Sequence, residues 1–189
     1  LVVILLLPLP GFAGHNEVKP LLLPLQGAVR QAEAEISGLA WHRGRLLLLP
    51  QFPDFTSPER TAPAALFAIE RKDILSFLAT GRPSPLPHQE IAVQGLDACW
   101  DLPGFEGFEA IAVQDDRAWL LVEARHKGRM HGWLLQGNFT DHDTGPGQLH
   151  LDASTAAPLE MPMNLRNAAF ETLVLDANSR ELLAVFEGN

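Results

Sequence analysis

Three segments of the 189-residue chain share one pattern: an apolar run, a short polar turn and a second apolar run. The first is Ile36-Ser37-Gly38-Leu39-Ala40-Trp41, His42-Arg43-Gly44-Arg45 and Leu46-Leu47-Leu48-Leu49-Pro50-Gln51. The second is Phe108-Glu109-Ala110-Ile111-Ala112-Val113, Gln114-Asp115-Asp116-Arg117 and Ala118-Trp119-Leu120-Leu121-Val122-Glu123. The third is Phe170-Glu171-Thr172-Leu173-Val174-Leu175, a turn of six residues from Asp176 to Glu181, and Leu182-Leu183-Ala184-Val185-Phe186-Glu187. Short apolar runs joined by polar residues rich in Gly, Asp or Asn are a β-hairpin signature, and near-continuous hydrophobicity marks strands buried on both faces.

The stretches between the hairpins also correspond. After the first come Ala65–Glu70, Ile74–Leu78 and His88–Val93; after the second come Met130–Leu135 and Gln148–Leu151. Ile74–Leu78 reads as a strand or as a short helix. The unit is a four-stranded antiparallel sheet, and 72 residues separate Ser37 from Glu109 while 62 separate Glu109 from Glu171. That spacing suits propeller blades with long loops rather than solenoid coils. Fifteen Gly and fifteen Pro argue the same way, for many short strands and against a helical bundle. The expected fold is an all-β propeller of four-stranded antiparallel blades, with blades over 36–100 and 101–165 and a half-blade over 166–189. Closed propellers need about four to eight blades. About two and a half blades therefore point to an incomplete fragment whose missing blades lie on the same chain, or to assembly with other chains.

Residues 1–14, Leu1 to Gly14, form a separate segment. They carry no charge, are too short to span a bilayer as a helix, and end in the small-x-small pattern Gly11-Phe12-Ala13. They read as a signal-peptide remnant, with a buried hydrophobic strand as the alternative. A signal peptide implies export to the periplasm or the extracellular space, with no stable membrane span after its removal. The single Cys99 excludes an internal disulfide framework and a cysteine zinc cluster. A net charge of -9 argues against a polyanion such as nucleic acid as the main partner.

In a blade the first two strands are antiparallel, so the start of one and the end of the next share one mouth of the channel. Glu109 and Glu171 begin first strands where the first hairpin has Ser37; Glu123 and Glu187 end second strands where it has Gln51. Four carboxylates are thus expected around one rim. An oxygen-rich rim of this kind suits Ca²⁺, or Mg²⁺ with retained waters. The alternative is that each Glu fastens neighbouring blades by hydrogen bonds to backbone amides. Asn167-Ala168-Ala169-Phe170-Glu171-Thr172-Leu173 with Leu182–Glu187 resembles the repeated N-x-G-F-E-x-L-A and L-x-x-x-x-E element of the esterase-like phytase family, secreted β-propellers of bacteria. Glu106-Gly107-Phe108-Glu109-Ala110-Ile111-Ala112 with Leu121-Val122-Glu123, and Ser37-Gly38-Leu39-Ala40, resemble it too. Ala168-Ala169 replaces the usual glycine, and Ser37 lacks the acid. The resemblance implies a six-bladed propeller and metal-dependent phosphoester hydrolysis, with a small-molecule or phosphorylated ligand as partner. The alternative function is a non-catalytic periplasmic propeller that binds a ligand or protein.

Arg125-His126-Lys127-Gly128-Arg129 follows Glu123 and is the densest basic run, so Arg125 and Lys127 are the candidate phosphate-binding residues, with a solvated loop as the alternative. Asp141-His142-Asp143-Thr144-Gly145 has alternate acids before a glycine but lacks the EF-hand spacing, and reads as a polar hairpin connection. The seven His residues form no HExxH pattern, and Ser37-Gly38 lacks the context of a nucleophile elbow. Trp41, Trp119 and Trp133 are expected in the core between blades. Asn138-Phe139-Thr140 matches a glycosylation acceptor.

Overall fold

The computed structural model describes residues 21–56, 63–81, 84–140, 145, 147–159, 168–176, 178 and 181–188. Leu1–Gly14 and Asp141–Thr144 lie outside these residues. Two single-turn 3-10 helices, Ala28–Arg30 and Ala32–Ala34, lead into the first strand. Strands β1 (Ile36–His42), β2 (Arg45–Pro50), β3 (Ala65–Glu70) and β4 (Gln89–Gln94) form an antiparallel meander. Helix α1 (Arg71–Thr80) connects β3 to β4, and α2 (Leu96–Trp100) follows β4. A second antiparallel meander runs through β5 (Phe105–Gln114), β6 (Arg117–His126), β7 (Arg129–Thr140) and β8 (Gln148–Leu159). Strands β9 (Ala168–Asp176) and β10 (Glu181–Gly188) form a separate hairpin.

The decisive pairing is between β4 and β8. They run parallel, with Ala92 opposite Gln148, Val93 opposite Leu149 and Gln94 opposite His150. The two meanders are thereby one eight-stranded mixed sheet in the order β1-β2-β3-β4-β8-β7-β6-β5. Its two margins come back together: the Ser37 hydroxyl donates to the Phe108 carbonyl at 2.6 Å, and the Phe108 amide donates to the Gln51 carbonyl at 2.9 Å. The sheet is nearly closed into a barrel. This overturns the expected β-propeller: the segments 36–100 and 101–165 are joined edge to edge in one sheet instead of standing as separate blades, and β9–β10 is a two-stranded hairpin rather than half a blade. The local sequence pattern encodes each antiparallel meander, whereas the parallel pair joins residues more than fifty positions apart and leaves no local signal.

The apolar runs are explained by double burial. In β2, Leu47 and Leu49 face the barrel interior while Leu48 packs outward with Phe67, Ile69 and Phe77 beneath α1. In β6, Leu120 and Val122 face the interior, and Leu121 packs outward with Phe170, Leu173 and Ala184 of the β9–β10 hairpin. The small Ala110 and Ala112 of β5 join that outer layer. Ile74–Leu78 lies within α1, which resolves the alternative in favour of helix. Gly81 ends α1 in the left-handed region at φ 60°, and its amide donates to the Phe77 carbonyl at 2.8 Å. Of the three tryptophans expected in the core, Trp119 and Trp133 pack against it, but Trp41 is 52% exposed on β1. The outward face of β1 has no neighbouring sheet among the described residues, so the expected burial of Trp41 fails with the propeller. No helix among the described residues is long and apolar enough to cross a membrane.

Candidate functional site

Three hairpins carry the same local irregularity. Register shifts fall between Ile36 and Gly38, between Phe108 and Ala110, and opposite the step from Val185 to Phe186. The residues left without a cross-strand partner are Ser37, Glu109 and Glu171. A bulge of this kind leaves one side chain out of the regular alternation and re-aims it. A second shift, between Phe105 and Gly107, does the same for Glu106.

The bulges bring carboxylates together at one end of the β5–β6 hairpin. Glu109 of β5 and Glu123 of β6 share a side-chain hydrogen bond. Gln51, at the end of β2, reaches across the seam, and its Nε2 donates to Glu109 Oε1 at 2.9 Å. The crossing requires Gly107: its φ is 135°, and a Cβ there would lie 2.5 Å from Gln51 Cγ. Glu171, exposed on β9, is close enough to act electrostatically on both Glu109 and Glu123. Glu106 repels Glu123, while Arg125 partly offsets it; Arg125 Nε lies 3.3 Å from Glu106 Oε1.

Burial first, and then the negative charges of Glu123 and Glu171, push the Glu109 carboxyl up from 4.5 to about 7. Burial also raises Glu123, helped by Glu106 and Glu171 and opposed by the hydrogen bond from Glu109 and by Arg125. The contact between the two carboxyls raises Glu109 and lowers Glu123, so of the two it favours the proton on Glu109. The pair is two half-buried carboxyls, both held above the ordinary carboxylate range, flanked by two further acids and one guanidinium.

Of the four carboxylates expected at a metal rim, Glu109, Glu123 and Glu171 are neighbours. Glu187 belongs to β10 opposite Ala169, and its side chain lies outside the described residues. Among the described residues no group of three His, Cys, Asp or Glu is arranged to hold a metal ion. Arg125 is half-exposed and engaged by Glu106. Lys127 is exposed at the β6–β7 turn, where it and Gly128 both take left-handed backbone at φ 52° and 75°. That is the two-residue hairpin geometry, which gives Lys127 a turn-forming place beyond Arg125 on the same strand end. Ser37 fastens β1 to β5: its hydroxyl donates to the Phe108 carbonyl at 2.6 Å and lies 3.3 Å from the Leu49 carbonyl.

Gln51 and Glu106 are the participants that the hairpin alignment did not single out. The sequence signal was present in Glu106-Gly107-Phe108-Glu109, where a glycine between two acids marks the bulge, but only the seam shows why Gly107 must be small. No protein-family model matches the chain, and no curated protein or solved structure is significantly similar to it.

Proposed function

We propose that the protein is an exported hydrolase working through Glu109 and Glu123, with Glu109 as general acid and Glu123 as its charged partner and base. One feature supports this: the Glu109 carboxyl, next to that of Glu123, is raised to about 7 by burial and by neighbouring negative charge. In that state one carboxyl can give a proton to a leaving oxygen while the other takes one from water. The choice of phosphoesters as substrate rests only on the short-motif resemblance to esterase-like phytases, whose propeller fold this chain does not share. Arg125 is the anchor for the phosphate, in competition with Glu106, and Lys127 extends the same basic end. Export to the periplasm or beyond rests on Leu1–Gly14.

A second proposal is non-catalytic binding of a divalent cation, Ca²⁺ or Mg²⁺, or of a cationic ligand, at the same carboxyls. It is favoured by their mutual repulsion, which a cation would relieve: Glu123 and Glu171 raise Glu109, and Glu106 and Glu171 raise Glu123. Hydrolysis of p-nitrophenyl phosphate and phytate between pH 4 and 9, with and without calcium, separates the two. Catalysis by Glu109 requires a rate that falls as pH passes about 7, and a loss of at least about 100-fold in Glu109→Gln. Absence of turnover, or a Glu109→Gln variant as active as the parent, discards the hydrolase. A calcium-dependent rise in melting temperature without turnover selects the binding protein.

A further inference from the structure

The far end of the β5–β6 hairpin carries a second, chemically different feature. Gln114 ends β5, Arg117 begins β6 opposite it, and Asn138 of β7 lies opposite Arg117. These three residues form a row across adjacent strands. Trp119 stands two residues beyond Arg117, on the same face of the strand, and the Arg117 guanidinium carbon lies 5.9 Å from the centre of its ring. Over this row open two adjoining depressions. One, of about 420 Å³, is bounded by Asp115, Asp116 and Asn138. The other, of about 400 Å³, is closed on its far side by Leu175 and Leu182, which face each other across the β9–β10 hairpin. Both share Gln114, Asp115, Arg117 and Trp119, so they make one groove. Arg117 and Glu123 are six residues apart on β6, which separates this groove from the carboxyl pair by about 20 Å along the strand.

We propose that this groove binds an uncharged oligosaccharide, on the juxtaposition of the Trp119 ring and the Leu175–Leu182 pair with the Gln114, Arg117 and Asn138 row. The proposal is independent of any activity at Glu109. The ligand class follows from the chemistry of the walls. Gln114 and Asn138 each offer a donor and an acceptor, and among the described residues nothing engages either amide. A sugar hydroxyl is likewise both donor and acceptor, so a run of hydroxyls satisfies such a row where a simple ion cannot. Asp115 and Arg117, of opposite charge, both line the groove, which gives neither an anion nor a cation an advantage. The indole and the two leucines suit the C–H face of a pyranose ring, the apolar side of an otherwise polar molecule. Asp116 contributes little, because its carboxylate is held by His42 and Arg43.

Calorimetric titration of the 189-residue chain with maltohexaose, cellohexaose and chitohexaose tests the site, with tryptophan emission recorded in parallel. At least one should bind with Kd below about 10 mM and change the indole emission. Trp119→Ala should abolish binding. Because Trp119 also packs on the hairpin, Gln114→Ala and Asn138→Ala serve as the second test, each weakening binding about fivefold for one lost hydrogen bond without altering the melting temperature. Failure of all three sugars to bind overturns the proposal, and so does binding that survives both the Trp119 and the Asn138 substitutions.

Discussion

Replacing Glu109 by Gln should make the protein more stable at alkaline pH and leave it unchanged in acid. The folded state holds the Glu109 proton more tightly than the unfolded chain does, since its carboxyl rises from 4.5 to about 7. A raised acid contributes stability that is fully present below 4.5, declines as pH rises and is gone above about 7. A shift of this size corresponds to about 3 kcal/mol at full strength. The carboxyl is only half-buried, and solvent screening reduces the figure to about 1–2 kcal/mol. Gln mimics the protonated acid: it cannot ionise, it can still accept from Gln51 and it can donate to Glu123. The variant should match the parent at pH 4.5 and exceed it by about 1–2 kcal/mol at pH 8, a rise in Tm of about 2–8 °C for a chain of this size. Urea unfolding and thermal melts of both proteins at the two pH values measure the difference directly. A variant that is less stable than the parent at pH 8, or a difference that does not change with pH, would refute the charge repulsion deduced for the cluster.

Other perturbations probe the frame that positions this site. Asp116→Ala removes the 3.1 Å contact to His42 and the paired bonds to Arg43 that tie the β5–β6 turn to the β1–β2 hairpin; because His42 is buried, the loss should be about 1–3 kcal/mol in urea unfolding. Gly95→Ala places a Cβ 2.6 Å from the Leu151 carbonyl of β8, at a φ of 80°, and should cost about 1–3 kcal/mol at the junction of β4 and β8, whereas the same change at exposed Gly145 should be neutral by comparison. Cys99 is buried, and burial followed by the charge of Asp97 pushes its thiol up to about 12. It should resist a disulfide reagent at pH 8 in the native protein and react fully in urea.

What could be read in the sequence, and what could not, divides along the range of the interactions involved. The hairpins of β1–β2, β5–β6 and β9–β10 follow from turn residues and apolar runs a few positions long. The repeated Leu residues of β2 and the Leu120-Leu121-Val122 run of β6 announce burial on both faces, and both faces are buried. The order of strands depends instead on Ala92, Val93 and Gln94 meeting Gln148, Leu149 and His150. None of those residue types specifies a parallel partner, so an edge-to-edge union and a ring of separate blades looked alike. The carboxyl cluster was legible in part. Aligning the hairpins places Glu109, Glu123 and Glu171 around one rim of a propeller channel; the propeller is absent, and the three are instead neighbours across the β5–β6 and β9–β10 hairpins. The alignment did not show the bulges that turn Glu109 and Glu171 out of register, nor that Gln51 donates to Glu109 across the seam. The sequence marks Trp119 as core, and it does pack against the hairpin, but its place beside Gln114, Arg117 and Asn138 depends on the register of three strands. Burial of Trp41 requires a neighbouring blade, and without one Trp41 is exposed on β1.

The raised Glu109 carboxyl is the property on which the proposed chemistry depends most. Carbon-13 NMR of glutamate side-chain carboxyls, followed from pH 3 to 9 with Glu109→Gln used to assign the Glu109 signal, observes it at the atom concerned. A Glu109 resonance with a midpoint at about 7, moving down when Glu123 is replaced by Gln, is the expected result. A Glu109 resonance that titrates near the ordinary 4.5, indifferent to Glu123, would contradict it.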